Sequence, residues 1–163
     1  QGKQVVPQEE MVQKIHAALD ARTDDDFVII ARCDAYAVTG WNDTVDRCQA
    51  YAQAGADMVF VDGINTVDDL ELYASDLAGL PRMYNGDLLP TPEVAALGYK
   101  LMICGSTIWL VYKQIHDAFE ELKTTGRVNP ERYGKRMDVA NLLGLDQVYE
   151  LEQRYGVSQT PVT

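Results

Sequence analysis

A chain of 163 residues, 47% hydrophobic and 24% charged, is long enough for one domain with a real core and has the composition of an ordinary globular protein. Its formal net charge of −11, with no cluster of Lys and Arg to offset it, argues against nucleic acid and anionic membranes as partners. No apolar run approaches the ~20 residues that span a bilayer, and Gln1-Gly2-Lys3-Gln4 lacks the basic-then-apolar pattern of a secretion signal.

Pro7 suits the first turn of a helix, where its missing N–H would be unpaired in any case. Glu9 and Glu10 favour the positive end of that helix, and Met11, Ile15, Ala18 and Leu19 give it an apolar stripe. After the acidic turn Thr23-Asp24-Asp25-Asp26 comes the run Phe27-Val28-Ile29-Ile30-Ala31, ending in Arg32. Asp43 is a candidate N-cap for a helix carrying Val45, Cys48 and Ala52, which Gly55 stops. A second run, Met58-Val59-Phe60-Val61, ends in Asp62. Thr66 and Asp69 have capping-box spacing ahead of Val67, Leu70, Tyr73, Ala74 and Leu77.

The third run, Arg82-Met83-Tyr84, ends in Asn85, and a brief helix from Thr91-Pro92-Glu93 closes at Gly98. The fourth, Leu101-Met102-Ile103, runs through Cys104 to Ser106. The longest helix follows, Thr107 to Lys123, with Ile108, Val111, Tyr112, Ile115, Phe119 and Leu122 along one side and Gly126 at its end. Two short helical stretches, about Val139–Leu143 and Gln147–Tyr155, complete the chain.

Unbroken apolar runs alternating with helices read as parallel strands covered on both faces. In a (β/α) barrel the chemistry sits at the carboxyl ends of such strands, so Arg32, Asp62, Asn85 and Ser106 are expected on one rim. A full eight-unit barrel takes about 250 residues, and four strand–helix units are present. The fold class expected is therefore α/β, the C-terminal half of a (β/α)8 TIM-type barrel at residues 1–126 with a helical tail at 127–163. The chain is then a fragment, or one of two pieces that assemble. Cys33, Cys48 and Cys104 have no metal-ligand spacing and fit reduced thiols in a cytoplasm-like compartment, with a mitochondrial matrix as the other location weighed.

From Ile30-Ala31-Arg32-Cys33-Asp34-Ala35 onward the chain resembles the isocitrate lyase / phosphoenolpyruvate mutase superfamily, above all its methylisocitrate lyase and oxaloacetate hydrolase-like branch. The family's "ARTDA" strand end is matched with Cys33 in place of Thr. Its "AGAD…FVEG" segment is matched by Ala54-Gly55-Ala56-Asp57-Met58-Val59-Phe60-Val61-Asp62-Gly63, and its strand ending in Asn by Asn85. Its "LVGLDEWYELEERY"-like helix is matched by Leu142 to Tyr155. Gly2-Lys3-Gln4-Val5-Val6-Pro7 resembles the "GK-x-VVP" segment that follows the family's mobile "KKCGH"-type loop, whose Cys none of the three cysteines here matches.

That resemblance implies Mg2+-dependent cleavage of a C–C bond in a 2-hydroxy or 2-keto (di)carboxylic acid through an enolate. Metal ligands and the acid/base loop are expected in an N-terminal half not present here, and none in this chain. Arg32 would be the catalytic cation on the substrate carboxylate and the enolate, since a planar guanidinium grips carboxylates and stays charged. It could instead pair with Asp34 and tie the strand end. Asp62, where the family carries Glu, would bind a substrate hydroxyl or orient Arg32, or be a structural partner of Arg32 or Arg82. Asn85 would donate to a substrate carboxylate, or be a turn residue before Gly86.

Ser106 sits near a helix start, where N–H groups favour anions, though capping explains it equally. The stretch Asn85 to Pro92 is several residues shorter than the family's "EGGxTP" loop around the second carboxylate, which leaves room for a smaller or less acidic substrate. His16 and His116 lie far from the strand ends, and Trp41 and Tyr36 could line the pocket or meet a neighbouring subunit. The family's terminal helices pack on a neighbour, so a homo-oligomer (tetramer or dimer) with swapped C-terminal helices is implied, through Leu142, Leu143, Leu145, Val148 and Leu151. Two other activities stay open within the enzyme class: an oxaloacetate-type C–C hydrolase, and P–C chemistry of the mutase kind, against which Val61-Asp62-Gly63 speaks. Outside it stands a half-barrel that only binds a carboxylate or a partner.

Overall fold

The computed structural model describes residues 2–156; the last part of the expected tail, 157–163, lies outside the described residues. The chain divides into two compact units, one ending at Trp109 and one starting at Leu110.

In the first unit α1 (Gln8–Ala21), β1 (Ile30–Cys33), α2 (Trp41–Gln53), β2 (Met58–Val61), α3 (Val67–Asp76), β3 (Arg82–Asn85), α4 (Thr91–Ala96) and β4 (Leu101–Ile103) follow in that order. The strands pair in chain order and all are parallel. Each returns to the next through a helix, which makes half of an eight-stranded (β/α) barrel with helices on the outer face.

The core lies between sheet and helices. Ala31, Cys33, Val59, Val61 and Tyr84 point from the strands into a buried cluster with Cys48, Tyr51, Leu70, Tyr73 and Leu77. Each buried aliphatic side chain there is worth about 1.5–3 kcal/mol. Tyr73 also ties two strands, its hydroxyl donating to the Val59 carbonyl at 3.0 Å and lying 3.4 Å from the Met83 carbonyl. Edge-to-face contacts link Tyr36, Trp41, Tyr73 and Tyr99 at ring-centre distances of 5.3, 6.4 and 5.3 Å.

The opposite face alternates with this one, as strand geometry requires. Register puts Arg32 beside Phe60, Phe60 beside Met83 and Met83 beside Leu101 in one row across the sheet. Arg32 lies over the Phe60 ring, its guanidinium carbon 5.5 Å from the ring centre.

Several local expectations need correction. The first strand starts at Ile30; Phe27 and Val28 are exposed, because pairing with β2 begins only where the Ile29 carbonyl accepts from Asp57 and Met58. Gly40, at φ +94°, and not Asp43, caps α2. Asp43 lies inside the first turn and accepts from Arg47 Nε at 2.7 Å. Trp41 packs between Tyr36 and Tyr73 and donates to Asp76 at 2.7 Å, beside a surface hollow it shares with Asn42, Val45 and Asp46. The Thr66–Asp69 capping box is present with both hydrogen bonds.

α5 (Thr107–Thr125) begins in the first unit and continues into the second, which also holds α6 (Arg136–Leu142) and α7 (Leu145–Arg154). Gly144, at φ +79°, makes the turn between the last two. The apolar side of α5 is exposed at Ile108, Val111, Tyr112, Ile115 and Phe119, as are Leu142 and Leu143. Among the described residues no helix is long and apolar enough to cross a membrane.

Candidate active site

The parallel pairing brings the carboxyl ends of all four strands to one edge. Arg32 is in β1, Asp62 follows β2 directly, Asn85 ends β3, and Ser106 lies between β4 and α5. Neighbouring strands are about 4.8 Å apart, so Arg32 and Asn85 root about 10 Å from each other across β2.

Cys33 pairs with Val61, which sets Asp34 opposite Asp62, and the Asp62 N–H donates to the Cys33 carbonyl at 3.0 Å. Around these two carboxylates the chain gathers two cations. Arg32 donates through Nε and Nη2 to Asp34 at 2.7 and 2.8 Å. Its Nη2 also lies 3.1 Å from Asp62 Oδ1. Lys3 Nζ meets Asp34 at 2.9 Å and is in contact with Asp62 as well. The four charges cancel.

Asp34 is held well below the ordinary carboxylate range, first by the Arg32 guanidinium and then by Lys3, against the opposing effect of its partial burial. Arg32 is raised chiefly by Asp34, and Lys3 chiefly by Asp62 and then Asp34. So the partner of Asp62 is Arg32 and Lys3, not Arg82. Arg82 is buried at the other end of the sheet and donates to the carbonyls of Leu77, Leu80 and Leu97.

This arrangement defines what Arg32 offers. The edge of its fork that bears Nε and Nη2 is taken by Asp34, while Nη1 has no protein partner among the described residues. The side chain is half exposed, so two N–H groups of a permanently charged ion face solvent at the rim. Asn85 is oriented in a similar way. Its Oδ1 accepts from the Gly105 N–H at 3.3 Å, which turns its amide NH2 outward as a donor. Ser106 donates to Asp87 Oδ2 at 2.6 Å.

Lys3 is the site residue that sequence reading missed. Its segment was noted for Gly2-Lys3-Gln4-Val5-Val6-Pro7, yet nothing in the spacing tied it to residues 31 and 59 positions away. What holds the segment in place is Arg47, whose Nη1 donates to the Val6 carbonyl at 2.8 Å. His16 and His116 are exposed on α1 and α5. Among the described residues, no group of three or more His, Cys, Asp or Glu could hold a metal ion. Asp34 and Asp62 are already neutralised by Lys3 and Arg32, so the donor set does not fit magnesium.

The family model described as phosphoenolpyruvate phosphomutase matches residues 1–123. The chain is 32% identical over 171 residues to 2,3-dimethylmalate lyase of Eubacterium barkeri, covering 97% of this chain and 57% of that protein. It is 49% identical over 84 residues to 2-methylisocitrate lyase of Salmonella typhimurium, covering 52% of this chain and 28% of that one. Among solved structures, oxaloacetate acetylhydrolase with the inhibitor 3,3-difluorooxalacetate superposes with a TM-score of 0.81 at 27% identity, over 98% of this chain and 57% of that chain. Phosphonopyruvate hydrolase in complex with oxalate and Mg++ superposes with a TM-score of 0.77 at 27% identity, over 93% and 57%. The chain thus spans about half the length of the relatives it matches along most of its own length.

Proposed function

Because the chain belongs to the isocitrate lyase / phosphoenolpyruvate mutase superfamily, we propose that it forms the carboxylate-binding side of a carbon–carbon lyase acting on a 2-hydroxy or 2-keto acid. The observation that carries this reading is the pair of outward donors on one strand edge. Arg32 Nη1 and the Asn85 amide are each left free because another protein group occupies the rest of the side chain.

In this reading Arg32 binds the substrate carboxylate and steadies negative charge as the bond breaks, where a fixed donor already in place needs no reorganisation. Asp34 keeps the guanidinium from swinging away, and Lys3 in turn holds Asp34. Asp62 holds the same guanidinium from β2 through Oδ1, while its Oδ2 meets Lys3. Asn85 fixes the substrate's orientation from the far side. The described residues provide no ligand set for a metal. The exposed Leu142 and Leu143 support a tail that packs on a second copy of the chain.

Oxalate, a planar dicarboxylate bound by the superposed phosphonopyruvate hydrolase, is the probe. Calorimetric titration of the chain with oxalate should give saturable binding. Arg32→Lys, which keeps the charge but loses the planar fork, should weaken it at least tenfold, about 1.4 kcal/mol, with an unchanged melting temperature. Equal affinity in the two proteins removes Arg32 from the site. In a preparation that turns substrate over, the same variant should lose most of its turnover.

A further inference from the structure

A cavity of about 400 Å³ opens beside Asn85, between the ends of β3 and β4, lined by Asn65, Asn85, Asp87, Leu88, Ser106 and Trp109 among others. None of its lining residues is Lys, Arg or His, and one is an acid. Ser106, the residue just before α5, points its hydroxyl at the Asp87 carboxylate at 2.6 Å. The chain's own carboxylate thus takes the hydroxyl donor that a ligand's second acid group would need. The rim's cations, Lys3 and Arg32, are engaged with Asp34 and Asp62 on the β1–β2 side.

We infer that this cavity receives the distal part of the substrate and selects an uncharged, hydroxyl-bearing tail over a carboxylate. The inference rests on the proposed function, in which Arg32 and Asn85 hold the substrate's first carboxylate. A second carboxylate entering here would meet Asp87 with no Lys, Arg or His in the lining to compensate it, so like charges would be brought together. A hydroxyl tail instead donates to Asp87, and its carbons rest on Leu88 and Trp109. Specificity then comes from a built-in repulsion as much as from attraction.

Two acids of equal carbon count separate the possibilities: malate, whose tail is a carboxylate, and 2,4-dihydroxybutyrate, whose tail is a hydroxyl. Each is titrated into the full chain, followed by amide NMR shifts. The hydroxyl acid should bind at least tenfold tighter. Asp87→Asn, which keeps an acceptor for Ser106 but removes the charge, should shrink that ratio to about twofold by raising malate affinity. Malate binding as tightly as the hydroxyl acid, or a ratio untouched by Asp87→Asn, overturns the selection. Arg32→Ala reports separately on the first carboxylate and should weaken both acids together. No binding of either acid, or binding indifferent to Arg32→Ala, overturns the proposed function and this inference with it. A melting temperature for Asp87→Asn within about a degree of the parent establishes that it folds.

Discussion

The amide oxygen of Asn85 accepts a hydrogen bond from the backbone N–H of Gly105, 20 residues further on, at 3.3 Å. A Cβ built on Gly105 would lie 2.9 Å from that oxygen and 3.6 Å from Nδ2. The contact belongs to the tip of an exposed side chain, which can swing away at little cost. Gly105→Ala should therefore leave thermal stability nearly unchanged while turning the amide out of its seat. A hydrogen bond to a charged acceptor is worth about 1.5–3 kcal/mol, so oxalate affinity measured by calorimetry should drop at least tenfold. A loss of stability with affinity intact would show Gly105 to be a packing residue and not a support for Asn85.

Arg82 makes a different kind of prediction, because its guanidinium is buried and has no carboxylate partner among the described residues. It donates to Leu77 at 2.6 Å, Leu80 at 3.1 Å and Leu97 at 3.0 Å. Leu77 and Leu97 are the residues that end α3 and α4, where helix dipoles favour a cation. The guanidinium also stacks over Tyr99, 5.2 Å from its ring centre. Arg82→Met keeps the volume but strands the Leu80 and Leu97 carbonyls, while Leu77 still accepts from the Leu80 N–H at 3.0 Å. A buried unsatisfied group costs about 1–3 kcal/mol, so urea unfolding should show a loss of about 2 kcal/mol or more. A loss under 1 kcal/mol would mean that water reaches those carbonyls.

The strand ends were legible because each short apolar run leads into a polar residue, although the third opens on Arg82 and the fourth passes Cys104 and Gly105 before Ser106. The order and direction of the strands followed from the alternation with helices. Capping at Thr66 was legible for the same local reason: both partners lie within one turn. The role of Lys3 was not legible, since its contacts with Asp34 and Asp62 span 31 and 59 residues and depend on the register of β1 against β2. Nor was the division of labour within Arg32. Catalytic grip and pairing with Asp34 were weighed as alternatives, whereas the geometry assigns one edge of the fork to Asp34 and leaves Nη1 outward. The start of α2 was misplaced because Asp43 is a favourable cap in isolation, while Gly40 alone has the positive φ the chain needs there.

The charge cluster at the rim should also set part of the protein's acid response. The carboxyl of Asp34 is held below its ordinary value by Arg32 and Lys3, so at acid pH the unfolded chain binds a proton that the folded chain resists. The stabilisation from this pairing is fully present above the ordinary carboxylate value of about 3.9 and is lost as pH falls below it. Lys3 and Arg32 are raised by the same carboxylates, so the pairing also weakens in strong alkali, where the cations lose their protons. Asp43, Asp57 and Asp69 are lowered too, so the wild-type protein should lose stability steadily in acid. The informative quantity is its difference from Asp34→Asn. Urea unfolding at pH 7 should find the variant less stable, and that gap should narrow progressively as pH falls below about 4, because the unfolded chain then takes up a proton that the folded Asp34 still resists. A gap of constant size across this range would show that Asp34 acts by shape or hydrogen bonding alone, and that its charge contributes nothing to holding Arg32 in place.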